Sequence, residues 1–373
     1  MAEVFSAHYA GPASGVVVTQ RGQAGTAGTG AIQVLEAGHP VPDAASVAAA
    51  GRVISCLQGL GPDDRVIALV SGGGSALLAA PAPGITLADK QSAAKLLLAS
   101  GATISEVNCV RRKLSAVKGG RLAVAAQPAG VVVLAISDVP GDAIADIASG
   151  PFSPDPTSLA DARDVIAKYD CTLPAPVRRM LEDPAAAGPR PLDAAFARVT
   201  STICARSADA LAAAGQLLAG AGFEPLLMDD RVSGDAAELA RAHAGLVRSL
   251  RAQRRRVALV TGGETTVRVT NSAGRGGRNG TYLLALAIEL AGTDGFSALA
   301  ADTDGIDGTE RNAGAMIDGS TAARAAAAGI DVQARLGAND SWPVFDALGD
   351  LVVAGPTGTN ANDLRVIVVG QVG

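Results

Sequence analysis

RVIALVSGGGSALL, residues Arg65–Leu78, is the stretch on which the fold turns. Six residues of apolar, partly β-branched character end at three consecutive glycines flanked by Ser71 and Ser75, and an Ala/Leu run follows. A short apolar run bounded by a Gly/Ser cluster reads as a buried strand, and the following segment reads as helical. Ligands of open α/β sheets gather beyond the carboxyl ends of strands, so the residues after each strand are the informative ones.

The same alternation runs outward in both directions. Strands are predicted at 15–19, 32–36, 65–70, 131–137, 199–204, 224–228, 257–261, 267–270, 296–300 and 351–354. Helices are predicted over 43–60, 87–100, 207–221, 235–253 and 281–291, with a helical turn over 1–9. Strand–helix alternation predicts an α/β protein of parallel sheets covered on both faces. At 373 residues two domains are expected. The proline- and alanine-rich run PAAAGPRP, Pro184–Pro191, places the boundary so that the domains are 1–190 and 191–373.

Composition narrows the class. Thirty-one basic against 36 acidic residues give a net charge of −5, and no basic stretch is interleaved with aromatics, so no nucleic-acid partner is expected. The run Arg254–Arg256 reads as the solvated end of a helix. Aromatics are 3% of the chain, so Ala, Val, Leu and Gly must fill the core. The four cysteines, Cys56, Cys109, Cys171 and Cys204, form no CxxC pair. With three histidines there is no zinc pattern, and a reducing cytoplasm with mostly buried cysteines is expected. No apolar run is long enough for a membrane span, and residues 1–9 do not read as a signal peptide.

Five loops carry candidate chemistry. In Ser71, Gly72, Gly73, Gly74 and Ser75, glycines allow a close approach of backbone amides to an anion; the alternative is a plain tight turn. After 131–137 come Asp138 and Asp142, in Asp138-Val139-Pro140-Gly141-Asp142. One or both could hold Mg²⁺ or take a proton from a hydroxyl; alternatively Asp142 caps a following helix. Between these loops, helical spacing puts Arg111, Ser115 and Lys118 on one face, either to meet an anion or as an exposed basic helix closed by Gly119. In the second half, Gly262, Gly263 and Glu264 follow a strand. Gly274-Arg275-Gly276-Gly277-Arg278-Asn279-Gly280 then opens a helix, where dipole, amides and a guanidinium suit a transferring phosphoryl group. The run Asp302-Thr303-Asp304-Gly305-Ile306-Asp307-Gly308 has three carboxylates for a substrate or Mg²⁺, but Ala313 stands where a calcium loop needs Glu.

Taken with EAGHPVPD (Glu36–Asp43), NCVRRKLSAVKGGRLA (Asn108–Ala123), IASGP (Ile147–Pro151), TGGETTV (Thr261–Val267) and TNANDLR (Thr359–Arg365), these strings resemble the glycerate 2-kinase family with its C-terminal MOFRL domain. The resemblance covers nearly the whole chain. It implies a Rossmann-like doubly wound N-terminal domain and an α/β MOFRL domain flanking an active-site cleft. It also implies transfer of the ATP γ-phosphoryl group to the 2-hydroxyl of D-glycerate, with Mg²⁺ or another divalent cation, in the cytoplasm, with a homodimer as the expected assembly. Arg278 matches an arginine expected to be essential, and Asp138 joins it as catalytic. Ser71–Ser75, Lys118, Gly262, Gly263, Glu264, Asn279, Asp304, Asn312 and Asp363 are the implied substrate and ATP contacts, and Asp142, Asp302 and Asp307 the metal candidates. Some family members carry the label hydroxypyruvate reductase; this sequence has no dinucleotide fingerprint to match. That reductase and a non-catalytic glycerate or nucleotide binder are the alternatives. Three departures are visible: Thr281 stands where the family has an acid, Ala143 follows Asp142, and Met1–Glu3 falls inside a helix that the family precedes with a strand and a Gly-Lys-Ala motif. An in-frame upstream start supplying that lysine is the expectation.

Overall fold

The computed structural model describes residues 1–24, 30–139 and 141–370. The chain divides into two compact units, Met1–Cys204 and Ala205–Gly373.

In the first unit, strand β1 (Gly15–Gln20) pairs in parallel with β2 (Ile32–Ala37). Strand β3 (Arg65–Val70) pairs in parallel with β4 (Gly130–Ser137), and β5 (Val199–Arg206) flanks β4 on its other side. The two sets are separate hydrogen-bonded sheets among the described residues. Central β4 reads GVVVLAIS because Val131, Val133 and Ala135 are all buried, as an interior parallel strand requires. Four helices start at reciprocal capping boxes: Asp43 with Ser46, Thr86 with Asp89, Thr103 with Glu106 and Ser158 with Asp161. The run Pro184–Pro191 lies inside this unit and opens with a short 3-10 turn, Pro184–Ala187.

The second unit holds one six-stranded sheet, built from β6 (Glu224–Leu227), β7 (Val257–Thr261), β8 (Phe296–Asp302), β9 (Gly314–Asp318), β10 (Leu351–Val352) and β11 (Asp363–Val369). Its order is β10-β9-β8-β11-β7-β6. The parallel reading holds for β6 with β7. β11 runs antiparallel to both β7 and β8, and β8–β9 and β9–β10 are antiparallel as well. The sheet is therefore mixed: β11 inserts between β7 and β8 in the opposite direction, and β9 reverses against both β8 and β10.

Three expectations change. Residues 267–270 are not a strand: Thr270 is held by Asn339 and Gly337 instead of a strand neighbour. β9 and β11 went unread. In β11 the buried positions are Asp363, Arg365, Ile367 and Val369, so half of the inward face is charged and breaks the apolar alternation. Cys109 alone is buried, while Cys56 and Cys204 are exposed. Among the described residues no helix is long and apolar enough to cross a membrane.

One helix organises the second core. Arg278–Glu289 is buried at every position from Asn279 to Ala287, as expected of a helix apolar all round. It packs on helix Ala236–Ala252, whose Ala236, Ala240 and Ala244 form a small-residue stripe at i, i+4, i+8. Asp235 caps that partner by accepting from the amides of Ala237 and Glu238 at 2.9 and 3.0 Å. His243 and Tyr282 join the two helices by a buried 2.7 Å hydrogen bond.

Burial, with Arg365 nearby, holds His243 down to about 4 from an ordinary 6.5. Between those values the unfolded chain binds the extra proton, so stability falls as pH falls through that window, by on the order of 3 kcal/mol. Urea titrations from pH 7 to 4 should show this loss, and His243→Gln should flatten it. An identical pH slope in the variant would remove His243 as the cause.

Candidate active site

In the first unit the turn after β3 is the point on which four separate motifs meet. Gly73 is left-handed, with φ of 76°, and its missing Cβ would lie 3.2 Å from the His39 ring of the EAGHPVPD string. A Cβ on Gly72 would lie 2.1 Å from Asp138 Oδ2, so the Asp138 carboxyl rests directly on that glycine. Parallel register explains the meeting, because Val70 lies opposite Ala135 and both strands end on the same side. A Cβ on Gly74 would meet Ala148, and Ser75 Oγ shares a 2.6 Å hydrogen bond with Ser149 Oγ. Ser149 also donates to Asn108 Oδ1 at 3.2 Å. Asp142 takes a left-handed conformation (φ 56°), and the next helical turn is a 3-10 one at Ile147–Ser149, so it caps no α-helix. Pro140, between the two aspartates, lies outside the described residues.

The expected exposed basic helix is different in kind. Helix Ile104–Lys113 stops before Ser115, and Arg112, Lys113 and Lys118 are each 1% exposed or less. Arg112 and Lys113 share the buried carboxylate of Asp155 at 2.8 and 2.7 Å. Lys118 donates instead to the carbonyls of Leu78 (3.2 Å) and Ala148 (3.5 Å).

In the second unit Arg278 is the first residue of its helix, where the helix dipole disfavours a cation. Carboxylates answer this. Asp363 accepts from Arg278 Nε at 2.9 and 3.0 Å, Asp302 from Nη2 at 2.5 Å, and Glu264 lies 3.2 Å from Nη1. Burial opposes the Arg278 charge, yet Asp363, Asp302 and Glu264 outweigh it and hold the guanidinium above its usual range. Asp302 is pushed upward by burial and by Asp304 and Asp363, against the pull of Arg278. Asp363 and Arg365 are fully buried and bonded at 2.5 Å, and Arg365 goes on to the Gly262 carbonyl and the Thr265 hydroxyl, both at 3.0 Å. Asn279 Nδ2 donates to Asp363 at 2.7 Å.

The amides expected to be free for an anion are taken by a side chain. Asn279 N and Gly280 N donate to the two oxygens of Asp307 at 3.0 and 2.8 Å. Burial lifts Asp307 to about 6. Asp304 accepts from Ile306 N, and Asn312 Nδ2 donates to the Gly314 carbonyl at 2.9 Å, so both order their own loop. Gly263 (φ 85°) and Gly262 pack without room for Cβ atoms against Val232 and Ser207. Of the metal candidates, Asp142 lies in the first unit, while Asp302 and Asp307 are engaged by Arg278 and by amides in the second. Among the described residues no three His, Cys, Asp or Glu gather as a metal set. Arg365 was missed because it is one isolated arginine inside a β-branched run. Its signals were its place at the end of the TNANDLR string and a charge next to the run 366–369.

Residues 1–182 match the family described as "Domain of unknown function (DUF4147)", and 257–363 match the MOFRL family. A D-glycerate 2-kinase of Thermotoga maritima is 38% identical over 359 residues, 94% of this chain and 83% of that one. This chain belongs to the glycerate 2-kinase family. A crystal structure of a Thermotoga maritima glycerate kinase superposes with a TM-score of 0.85 at 37% identity, covering 95% of this chain and 85% of that chain. An Agrobacterium vitis protein named "Putative hydroxypyruvate reductase" is 49% identical, covering 96% of this chain and 81% of that one, so both names occur among relatives of this glycerate 2-kinase family member.

Gly72→Ala should displace Asp138 and abolish the enzyme's turnover. Gly245→Ala is the control, since nothing lies within 4 Å of an added Cβ at that helical position. Both variants should fold by circular dichroism. Full turnover in Gly72→Ala would make the loop a turn only.

Proposed function

We propose that this enzyme transfers the γ-phosphoryl group of ATP to the 2-hydroxyl of D-glycerate, giving 2-phosphoglycerate and ADP. The observation that carries this reading is the clasp on Arg278. Two buried carboxylates fix the guanidinium from behind, whereas Glu264, the partner of Nη1, has a side chain 58% exposed. Nη1 is the exchangeable corner: a phosphoryl oxygen takes it when Glu264 moves aside, and the guanidinium arrives already oriented. Preorganised charge of this sort lowers the barrier without reorganisation during transfer.

Asp138 is the proton acceptor for the attacking hydroxyl. The new bond joins the glycerate oxygen to phosphorus, the bond from phosphorus to the ADP oxygen breaks, and ADP carries away the electron pair. A divalent cation, when bound with the nucleotide, would supply neutralisation of phosphate charge. The described carboxylates do not form a set that fits one, so no protein ligand is assigned to it.

ADP release should depend on D-glycerate. Arg278→Lys keeps the charge but loses the planar fork, and should lower kcat about a hundredfold, ~2.7 kcal/mol, with a smaller change in KM. An unchanged kcat would take Arg278 out of the mechanism. Hydroxypyruvate-dependent loss of NADPH absorbance, with no glycerate-dependent ADP, would favour the reductase instead.

A further inference from the structure

Three cations of the first unit meet at neutral partners only. Lys90, on helix Leu87–Ala99, is 7% exposed, Lys118 is 1% exposed, and Arg111 is half-buried beside them. Lys90 Nζ donates to the Ala80 carbonyl at 3.3 Å, Lys118 to those of Leu78 and Ala148, and Arg111 Nη1 to Asn108 Oδ1 at 3.1 Å. The charges acting on Lys118 are Lys90 and Arg111, and those acting on Lys90 are Arg111 and Arg121; all are positive. Among the described residues none of the three has a carboxylate within ion-pair distance.

The neighbouring pair shows what a structural solution looks like here. Arg112 and Lys113 are buried just as deeply, and the fold supplies Asp155 to both. Burying a charge without a counter-charge is strongly unfavourable. Arg111 moreover has five N–H donors, of which Asn108 takes one, leaving a fork suited to two oxygens. The backbone beside the cluster is strained in the same place. Ala148, Ser149 and Gly150 have φ of 52°, 60° and 61°, a left-handed run in which two residues are not glycine. That run aims the Ala148 carbonyl at Lys118 and the Ser149 hydroxyl at Ser75 and Asn108.

We propose that Lys90, Arg111 and Lys118 form an oxyanion site beside the Ser71–Ser75 turn, taking either the carboxylate of the hydroxy acid or a phosphate of the nucleotide. The choice of these two sources rests on the kinase reading above; the need for an oxyanion does not. Desolvation and like charges hold Lys118 well below the usual lysine range and Lys90 down to about 7. A bound oxyanion reverses that, so its arrival draws protons from solution.

Calorimetric titration of the full chain with D-glycerate and, separately, with ATP tests this. Titrations near pH 8 in HEPES and in Tris read proton uptake from the difference in buffer ionisation heat. Lys90→Met and Arg111→Gln should each weaken one of the two ligands at least tenfold and leave the other unchanged. Proton uptake should shrink in Lys90→Met. Loss of glycerate affinity identifies the carboxylate, and loss of ATP affinity identifies the phosphate. Should Lys90→Met fail to fold, half-buried Arg111→Gln carries the same readout. Unaltered affinity for both ligands, without proton uptake, would overturn the site and leave the lysines as clips on segment 78–80. Weakened binding in a chain that transfers no phosphoryl group would instead remove the kinase reading and leave the site.

Discussion

Asp363 is the residue on which the second unit's chemistry hangs. It has no exposed side-chain surface, and its two oxygens accept from Arg278 on one helix, Asn279 beside it and Arg365 on its own strand. Its amide donates to the Gly263 carbonyl. A single residue therefore ties together the loop after β7, the start of β11 and the N-terminus of the buried helix. A charge so deeply placed is tolerable because two guanidinium groups and an amide donate to it, against the nearby carboxylates of Asp302 and Asp307. In return it immobilises a guanidinium that would otherwise face an unfavourable helix dipole.

Asp307 completes the same logic from the other side. A carboxylate, rather than a bound phosphate, accepts the helix's leading amides, so the helix start is satisfied before any ligand arrives. The glycines around it are required for contact. A Cβ on Gly277 would lie 2.3 Å from Asp307 Oδ1, and one on Gly280 would lie 2.6 Å from Ser341 Oγ. The GRGGRN loop is glycine-rich because carboxylate and backbone must touch.

The first unit places charge differently. Arg112 and Lys113 are neutralised by Asp155, while Lys90, Arg111 and Lys118 meet carbonyls and an amide oxygen. One short basic segment thus divides between a built ion pair, which holds the helix end, and a cluster whose electrostatics favour an incoming anion. Adjacent residues differ because successive side chains of helix Ile104–Lys113 point about 100° apart, so Arg111 and Arg112 meet different neighbours.

Local sequence determined much of this protein. The strands up to β8 and the glycine turn at 71–75 were legible because apolar periodicity and consecutive glycines act over a few residues. The motif strings in which Arg278 and Asp138 stand were legible as strings, not the partners that the fold brings to them. Tertiary structure alone decided the rest. Whether Asp307 faces a metal or an amide depends on a helix that starts twenty-nine residues earlier. Whether Lys90 is solvated depends on the segment that crosses it, and an Ala/Leu-rich helix carries no mark of that. Arg365 and Asp363 lie on the inward face of a strand, where periodicity expects apolar side chains, and only the partners brought by β7 and the buried helix make their charge acceptable. Burial and counter-charge are properties of the assembled layers, and no window of residues contains them.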